Sequence, residues 1–469
     1  MKEQLSVIPK PASIKYGQGF FQSQQNPAII RKETDLPREG YRLVISKENI
    51  TLEASSPSGM FNGEQTFRQL SLSETKDGKL ALPCAEITDY PRFSWRGFML
   101  DSSRYFYSVP FIKNLLDVLS MHHINRFHWH LTDDQGWRFH VAQYPLLTEI
   151  GSVRKNFRVR MQTPAACFYT EEEIRQIVDF AAQRHIEIIP EVNFPGHVSS
   201  VLASYPQLGC TGGPYQVEER HGIFEDVLCA GNDQIFDLAE KAYAALAGLF
   251  PSKWVHIGGD EVLFDRWEAC PKCQKRLADL GLGKPAELQS WITQKLVKLL
   301  AEQGKIAIGW DEVLEDSQKF KLPKETVILS WRGDEGGIRA SGLGHNVIMA
   351  PNTKGCHLDY KHYDSPEEPG QTFEGSASVY KSYSMDPVPR ELNEKDAQYI
   401  LGGQCNMLSE LIYAGKIAEY MIFPRLCAIA ETLWTPKEEK NFDDFAERLA
   451  VHQKRLDCLE INQYRGRLK

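Results

Sequence analysis

The run Trp254-Val255-His256-Ile257-Gly258-Gly259-Asp260-Glu261-Val262 holds the residues best suited to chemistry. An apolar, strand-like stretch ends in two glycines, and two carboxylates follow at once. Glycines clear side-chain bulk where something must come close to the backbone. Adjacent carboxylates repel, which raises one pKa and creates a proton donor. An Asp-Glu dipeptide at a strand end is by itself a common surface feature. Its weight here comes from what the rest of the chain supplies at comparable positions.

Eight short apolar stretches, at 96–101, 124–131, 186–192, 254–259, 306–310, 327–331, 347–350 and 399–404, read as strands. Longer helix-like stretches, such as 111–121, 171–184, 233–249 and 286–303, fall between most of them. Strand, helix, strand repeated in this way predicts a (β/α)8 TIM barrel within the α/β class. An open doubly wound sheet shares the alternation, but no GxGxxG or GxxxxGKS/T follows an early strand. Nearly every strand ends in a polar or aromatic residue that the strand does not need. Arg104 follows the first, Asp133-Asp134 the second, and Glu191, Asn193 and His197 sit at or after the third. Asp260-Glu261 end the fourth, Trp310-Asp311-Glu312 the fifth and Trp331-Arg332 the sixth; Asp359 and Glu410 lie in the loops after the last two. In a barrel these loops converge on one face, where active sites sit.

Residues 1–92 read as a separate, non-catalytic α/β domain, with strands at 41–45 and 50–54, a helix at 58–72 and a linker at Asp89-Tyr90-Pro91-Arg92. The barrel then occupies 93–436. Residues 437–469 form a helical extension, its helix at 442–457 packed on the barrel's outside through Phe445, Leu449, Val451 and Leu456.

Composition narrows the class. The chain has 469 residues, 42% apolar and 25% charged, and a net charge of −8, which invites neither nucleic acid nor an anionic membrane. No apolar run reaches the length of a transmembrane helix. Met1-Lys2-Glu3-Gln4 opens no signal peptide, which leaves the cytoplasm, or a secreted or periplasmic site for a trimmed mature form. Among the ten cysteines only Cys270-Pro271-Lys272-Cys273 makes a CxxC. It lacks a second pair or histidines at ligand spacing, so no metal and no cofactor are expected, and the cysteines read as a disulfide or reduced structural thiols. Nine Trp and 18 Tyr suit a site that stacks flat ligand faces. An Arg, several carboxylates, a His and two strand-end Trp together suggest glycoside chemistry. Indole faces stack on sugar rings, charged groups bind hydroxyls, and a carboxylic acid protonates the glycosidic oxygen.

At this point the motifs resemble a known family. His256-Ile257-Gly258-Gly259-Asp260-Glu261 resembles the signature of the family 20 glycoside hydrolases, the β-N-acetylhexosaminidases, of bacterial type. Leu100-Asp101-Ser102-Ser103-Arg104, the long run Phe127 to Arg138, and Pro190 to His197 resemble its first three strand motifs. Gly309-Trp310-Asp311-Glu312, Leu329-Ser330-Trp331-Arg332, Ser409-Glu410 and Ala428-Ile429-Ala430-Glu431 resemble the later ones.

The resemblance implies an exo-acting, retaining enzyme that releases terminal GlcNAc or GalNAc from glycans. The substrate's own 2-acetamido group is the nucleophile, and an oxazolinium intermediate forms. It assigns Asp260 to the acetamido N–H and Glu261 to general acid and base catalysis, with the two glycines as space for the acetamido arm. Arg104 and Glu410 bind sugar hydroxyls. Asp133 and His197 orient Glu261, Trp310 and Trp331 wall the acetamido pocket, and Asp359 binds a hydroxyl or polarises the intermediate. The implied partner is an oligosaccharide or glycoconjugate with a terminal β-linked N-acetylhexosamine, and a homodimer is the assembly to consider.

Three positions depart from the family's pattern. Leu408 stands where a Trp would lie under the sugar. His357 stands where a Tyr would donate to the acetamido oxygen, with Tyr360 and Tyr363 as nearby phenols. Asn193 stands where an Asp would place charge near His197. These departures keep open a reshaped donor pocket, for a sulfated hexosamine or a disaccharide released as a unit, and a non-catalytic carbohydrate-binding protein on the same fold.

Overall fold

A computed structural model describes residues 5–23, 27–76, 79–154, 165–316, 318–373 and 375–469. Eight parallel strands close on themselves: β1 Trp95–Asp101, β2 Arg126–His130, β3 Glu187–Glu191, β4 Trp254–His256, β5 Ile306–Trp310, β6 Val327–Ser330, β7 Val347–Met349 and β8 Ile400–Met407. These are the eight expected strands, and β8 pairing with β1 excludes the open sheet. Strands covered on both faces are buried along their length rather than at alternate residues. In β1 all seven residues are buried, and in β6 all four.

The covering helices follow ordinary end rules. Ser108 caps the helix Val109–Met121 by accepting from the Phe111 N–H. Thr170 and Glu173 form a reciprocal capping box at Glu171–Ala182. Gln234–Leu249 and Ala286–Glu302 cover the next two strands. Between β5 and β6 the regular structure is one 3-10 turn, Asp311–Leu314, so the helix at this crossover is missing among the described residues. No helix of the described residues is long and apolar enough to cross a membrane.

Ahead of the barrel lies a mostly antiparallel sheet in the order Ser13–Ser23, Lys79–Asp89, Tyr41–Ile45, Ile50–Ala54, Ile29–Glu33. The helix Pro57–Glu74 packs on it, with Leu70 fully buried against this core. Two of these strands and the helix were expected. Ser13–Ser23 was not, because nearly all its residues face solvent and give no alternation.

The linker reading at Asp89 is corrected. Asp89 ends a strand and is fully buried, and it accepts from Tyr41 Oη at 2.7 Å, Trp434 Nε1 at 2.9 Å and the Ala12 N–H at 3.0 Å. Burial pushes its carboxyl up to about 7 despite those donors. Trp434 closes the last barrel helix, Arg425–Trp434, yet its ring belongs to the core of the preceding sheet.

The C-terminal helix Phe442–Cys458 buries Phe445, Leu449, His452 and Leu456, whereas Val451 is only half-buried. It packs against both parts rather than the barrel alone: Arg448 reaches the Val7 carbonyl, and His452 Nε2 lies 2.9 Å from His122 Nε2. Its anchor is the fork of Arg448 on buried Glu431, with both N–O distances 2.7 Å. Removing one partner of such a pair leaves an uncompensated buried charge and costs roughly 3–5 kcal/mol. Arg448→Met is therefore expected to lower unfolding free energy by about that amount in urea titration. A change within about 0.5 kcal/mol would show that the fork holds nothing together.

Candidate active site

The strand that presents the two carboxylates ends earlier than expected, at His256. Beyond it, Gly258 (φ 70°), Gly259 (φ 94°) and Glu261 (φ 52°) all adopt left-handed backbone. Alternation would send Asp260 and Glu261 to opposite faces; this turn brings both to one side. Their carboxylate oxygens and His197 Nε2 lie within 4.8 Å of one another. A side chain at Gly258 would place its Cβ 1.8 Å from Asn193 Oδ1, and one at Gly259 would sit 2.5 Å from Val313 Cγ1. The glycines thus make room for neighbouring protein atoms, which corrects the reading of them as space for an acetamido arm. Glu261 and His197 (φ 52°) are non-glycine residues in a sparsely populated region, which persists only where surrounding contacts enforce it.

Asn193 is one of those contacts. Its Oδ1 accepts the Gly259 N–H at 3.1 Å and its Nδ2 donates to Asp260 Oδ1 at 2.7 Å. The Asn193 amide thus reaches Asp260 and the Gly259 backbone, so this departure bears on Asp260. An Asp here would set two carboxylates against each other; the amide donates instead. Burial raises the Asp260 carboxyl, Glu261 adds to the rise, and His197 and Asn193 oppose it.

Behind the pair runs a chain of alternating charge. Glu191, fully buried at the end of β3, accepts from His130 Nδ1 and from Trp310 Nε1 at 3.0 Å; His128 Nε2 lies 2.8 Å away and His256 Nδ1 3.1 Å away. His130 Nε2 donates to Asp133 Oδ2 at 2.9 Å. Burial alone would lower His130, but Glu191 and Asp133 on its two nitrogens push it up to about 10. Asp133 Oδ1 lies 3.3 Å from His197 Nδ1, which sits 2.9 Å from Asp134 Oδ2. His197 Nε2 then faces Glu261 Oε2 at 3.3 Å and Asp260 Oδ2 at 3.6 Å. Its pKa is raised well above 6.5 because Asp133, Asp134 and Asp260 outweigh its burial. A charged His197 is thus in reach of both carboxylates.

Across the opening, Arg104 is held on all three nitrogens. Nη1 pairs with Asp101 at 3.1 Å, Nη2 with Asp133 at 2.9 Å, and Nε donates to Gln135 Oε1 at 3.1 Å. Glu410 Oε1 lies 3.7 Å from Nη2, and Gln371 Nε2 donates to Glu410 Oε2 at 3.0 Å. Asp359 is buried, and neither of its carboxylate oxygens has a hydrogen-bond partner among the described residues. Burial, with Glu410 nearby, raises its carboxyl well above the usual range. Such a group calls for a donor from a ligand or for its own proton.

Two indoles form the inner wall. Trp310 is fixed by its Nε1 bond to Glu191, and Trp331 by Nε1 contacts of 3.1 and 3.2 Å to Glu312. Their rings meet edge-on at 6.5 Å. His357 stacks on Trp331 at 5.8 Å and 18°, and Tyr360 stands edge-on to His357 at 5.8 Å. Gln404 Nε2 donates to Asn406 Oδ1, which turns Asn406 Nδ2 toward His357 Nε2 at 3.3 Å. The His357 proton therefore sits on Nδ1, and burial lowers the ring to about 3, so it is neutral. Tyr363 is half exposed and packs on Tyr464 instead.

Arg104, Asp260, Glu261, Trp310, Trp331, His357, Asp359, Leu408 and Glu410 line one cavity of about 380 Å³. Asp133 and His197 lie behind it and act on its lining. Sequence reasoning missed the anchoring duties of Asp101, His130, Glu191, Glu312 and Gln371, as well as Ile223 and Phe373 at the rim. The His128/His130 alternation on one strand was the available signal for an interior polar cluster. It also missed a cysteine grouping. Cys210 and Cys229 fold beside Cys270 and Cys273, so the CxxC does have a second pair, formed across 18 intervening residues that no ligand-spacing rule covers. All ten cysteines are free thiols in this structure.

The model of the glycosyl hydrolase family 20 catalytic domain matches residues 93–437, and that of the family's domain 2 matches residues 23–90. This chain belongs to glycosyl hydrolase family 20. A β-hexosaminidase of Porphyromonas gingivalis is 41% identical over 94% of this chain and 56% of its own length. A β-hexosaminidase of Vibrio furnissii is 34% identical over 86% of this chain and 66% of its own length. The chain thus spans roughly half to two thirds of these two family members. Among solved structures, a family 20 exo-β-N-acetylglucosaminidase of Vibrio harveyi, in complex with N-acetylglucosamine, superposes with a TM-score of 0.89. It is 30% identical and covers 98% of this chain and 79% of its own.

The charge chain sets a pH dependence. His130 has a folded pKa of about 10, against about 6.5 unfolded. Its stabilisation is therefore complete below about pH 6.5 and lost as pH rises through about 10. Melting temperature is expected to fall more steeply from pH 7 to 10 in the native chain than in His130→Gln. Parallel profiles would mean that His130 does not carry the charge between Glu191 and Asp133.

Proposed function

We propose that this chain is an exo-acting, retaining β-N-acetylhexosaminidase that releases terminal GlcNAc or GalNAc by substrate-assisted catalysis. The observation that carries the reading is the left-handed turn at 258–261, which sets Asp260 and Glu261 side by side under one histidine. Asp260, the more enclosed of the two at 17% exposure against 30%, accepts the acetamido N–H and holds the carbonyl oxygen toward the anomeric carbon. That donor favours the ionised form that burial disfavours in the free site. Glu261, more open, reaches the glycosidic oxygen. As the acetamido oxygen bonds to the anomeric carbon, the glycosidic bond breaks and Glu261 passes its proton to the leaving oxygen. The Glu261 carboxylate then takes a proton from water. The water oxygen bonds to the anomeric carbon, the oxazolinium ring opens, and the configuration is retained.

His197 faces both carboxylates and stabilises negative charge on either. Trp310 and Trp331 flank the acetamido methyl and exclude water from the cyclising group. His357 Nδ1–H, or the Tyr360 hydroxyl, supplies the donor to the acetamido oxygen. Arg104 and Glu410 bind ring hydroxyls, and a sugar hydroxyl supplies the donor that Asp359 lacks.

Leu408 offers no ring face, but it shares the cavity with Phe373, which is 79% exposed at the rim. Phe373 is the stacking surface in its place, and an exposed ring that covers a sugar gains what the missing indole would have given.

Glu261→Gln is expected to lower turnover of the p-nitrophenyl β-GlcNAc glycoside by about 10²–10⁴-fold, the usual worth of a general acid. Asp260→Asn should lose about 10²–10³-fold. A thiazoline analogue of the intermediate should inhibit competitively. Native turnover in Glu261→Gln would remove the assignment, and saccharide binding without hydrolysis across a glycoside panel would make the chain a binding protein.

Phe373→Ala is expected to raise KM about 2- to 10-fold with kcat nearly unchanged, as for loss of a ring contact of about 0.5–1.5 kcal/mol. An unchanged KM would show that Phe373 does not meet the substrate.

A further inference from the structure

Outside the cavity, four cysteine sulfurs converge. Cys210 and Cys273 sulfurs are 3.7 Å apart, Cys229 and Cys273 3.6 Å, and Cys229 and Cys270 3.8 Å; all four lie within 4.8 Å of one another. These separations are far from the ~2.05 Å of a disulfide. They match a tetrathiolate shell instead: four sulfurs about 2.3 Å from a tetrahedral zinc ion stand about 3.8 Å apart.

The backbone around the sulfurs is built for ligation. An antiparallel bridge between Gly209 and Leu228, with the Cys229 N–H donating to the Leu208 carbonyl at 2.8 Å, sets Cys210 beside Cys229. Cys229 opens a tight turn closed by Asn232 N–H on its carbonyl at 2.9 Å. Cys270 precedes the helix Pro271–Asp279, so Pro271 starts the helix and Cys273 lies on its first turn. A Cβ at Gly231 would fall 2.3 Å from the Lys272 carbonyl carbon, so only glycine lets the two turns meet. Three of the four cysteines are buried and Cys210 is half-buried. Four soft ligands at these separations favour zinc over harder ions.

We propose that Cys210, Cys229, Cys270 and Cys273 hold one structural zinc ion that staples the loop after β3 to the loop after β4. Both loops serve the cavity. Cys210 and Cys229 stand at the base of the segment whose middle, His221 to Ile223, lines it, and the second pair follows Asp260 and Glu261. All four coordination positions are protein sulfur, so the ion takes no part in chemistry and fixes the positions of two loops. This inference does not depend on the proposed activity.

Metal content decides it. The full chain, purified under reducing conditions and desalted, should carry about one zinc per chain by plasma mass spectrometry. A mercurial titrant should release that zinc to a colorimetric chelator. Cys210→Ser with Cys229→Ser should abolish it, while Cys273→His, which keeps a zinc-competent set, should retain it. Chelation should lower the melting temperature, and added zinc should restore it. Should the double variant be insoluble, the native chain still answers. Less than one tenth of an equivalent after incubation with equimolar zinc would overturn the proposal. So would two disulfides among these four residues by peptide mass, or a full equivalent of iron in place of zinc. Full zinc in the double variant would place the metal elsewhere, with the buried group His122, Cys427 and His452 as the next set to test.

Discussion

Everything at the open end of the barrel depends on one buried carboxylate, Glu191. A charge inside a barrel costs several kcal/mol unless it is paired and hydrogen-bonded. Glu191 is fully buried, and the groups that compensate it come from two other strand ends: His128 and His130 from β2, and Trp310 from β5. The charge therefore aligns those strands as well as being held by them. His256 is the last residue of β4, two positions before the glycine turn, and its Nδ1 accepts the Gly258 N–H at 3.1 Å. One carboxylate thus sets the wall that Trp310 forms and the histidine that leads to Asp133, while His256 beside it fixes the start of the turn that presents Asp260 and Glu261.

From that anchor, charge alternates outward to solvent: Glu191, His130, Asp133, His197, then Glu261, with Arg104 closing on Asp133 from the other side. In such a chain each charge neutralises its neighbours, and moving any member leaves another unpaired. The result is stiffness where misplacement by about 1 Å can cost two orders of magnitude in rate. The strained backbone at Glu261 and His197 belongs to the same design, since a left-handed conformation outside glycine persists only in a frame that over-determines it. The carboxylate of Asp359 is the complementary feature: buried beside this frame, it has no hydrogen-bond partner among the described residues.

Much of this was legible in the sequence, and the limits have physical reasons. The eight strands could be read because strands covered on both faces carry mostly apolar residues along their length. The strand Ser13–Ser23 could not, because an exposed strand carries no period. The lining residues could be read because strand-end loops of a barrel share a face. The anchoring residues could not, since Glu191 and His130 look like any polar residues at a strand end until the barrel closes. Gly258 and Gly259 were visible as a pair, but their purpose was hidden: the atoms they admit are Asn193 and Val313, distant in sequence. Cys210 and Cys229 are the extreme case, a pair that only the meeting of two loops creates.

The central claim is that the substrate's acetamido oxygen, positioned by Asp260, is the nucleophile. Its most direct measure is kcat/KM along aryl β-glycosides bearing acetyl, fluoroacetyl, difluoroacetyl and trifluoroacetyl groups on nitrogen. Each fluorine withdraws electrons from the carbonyl oxygen while barely changing its size. The account predicts a steep, progressive fall in rate along the series. A flat series would contradict it, placing the nucleophile on the protein or on water and leaving the geometry at Asp260 without its purpose.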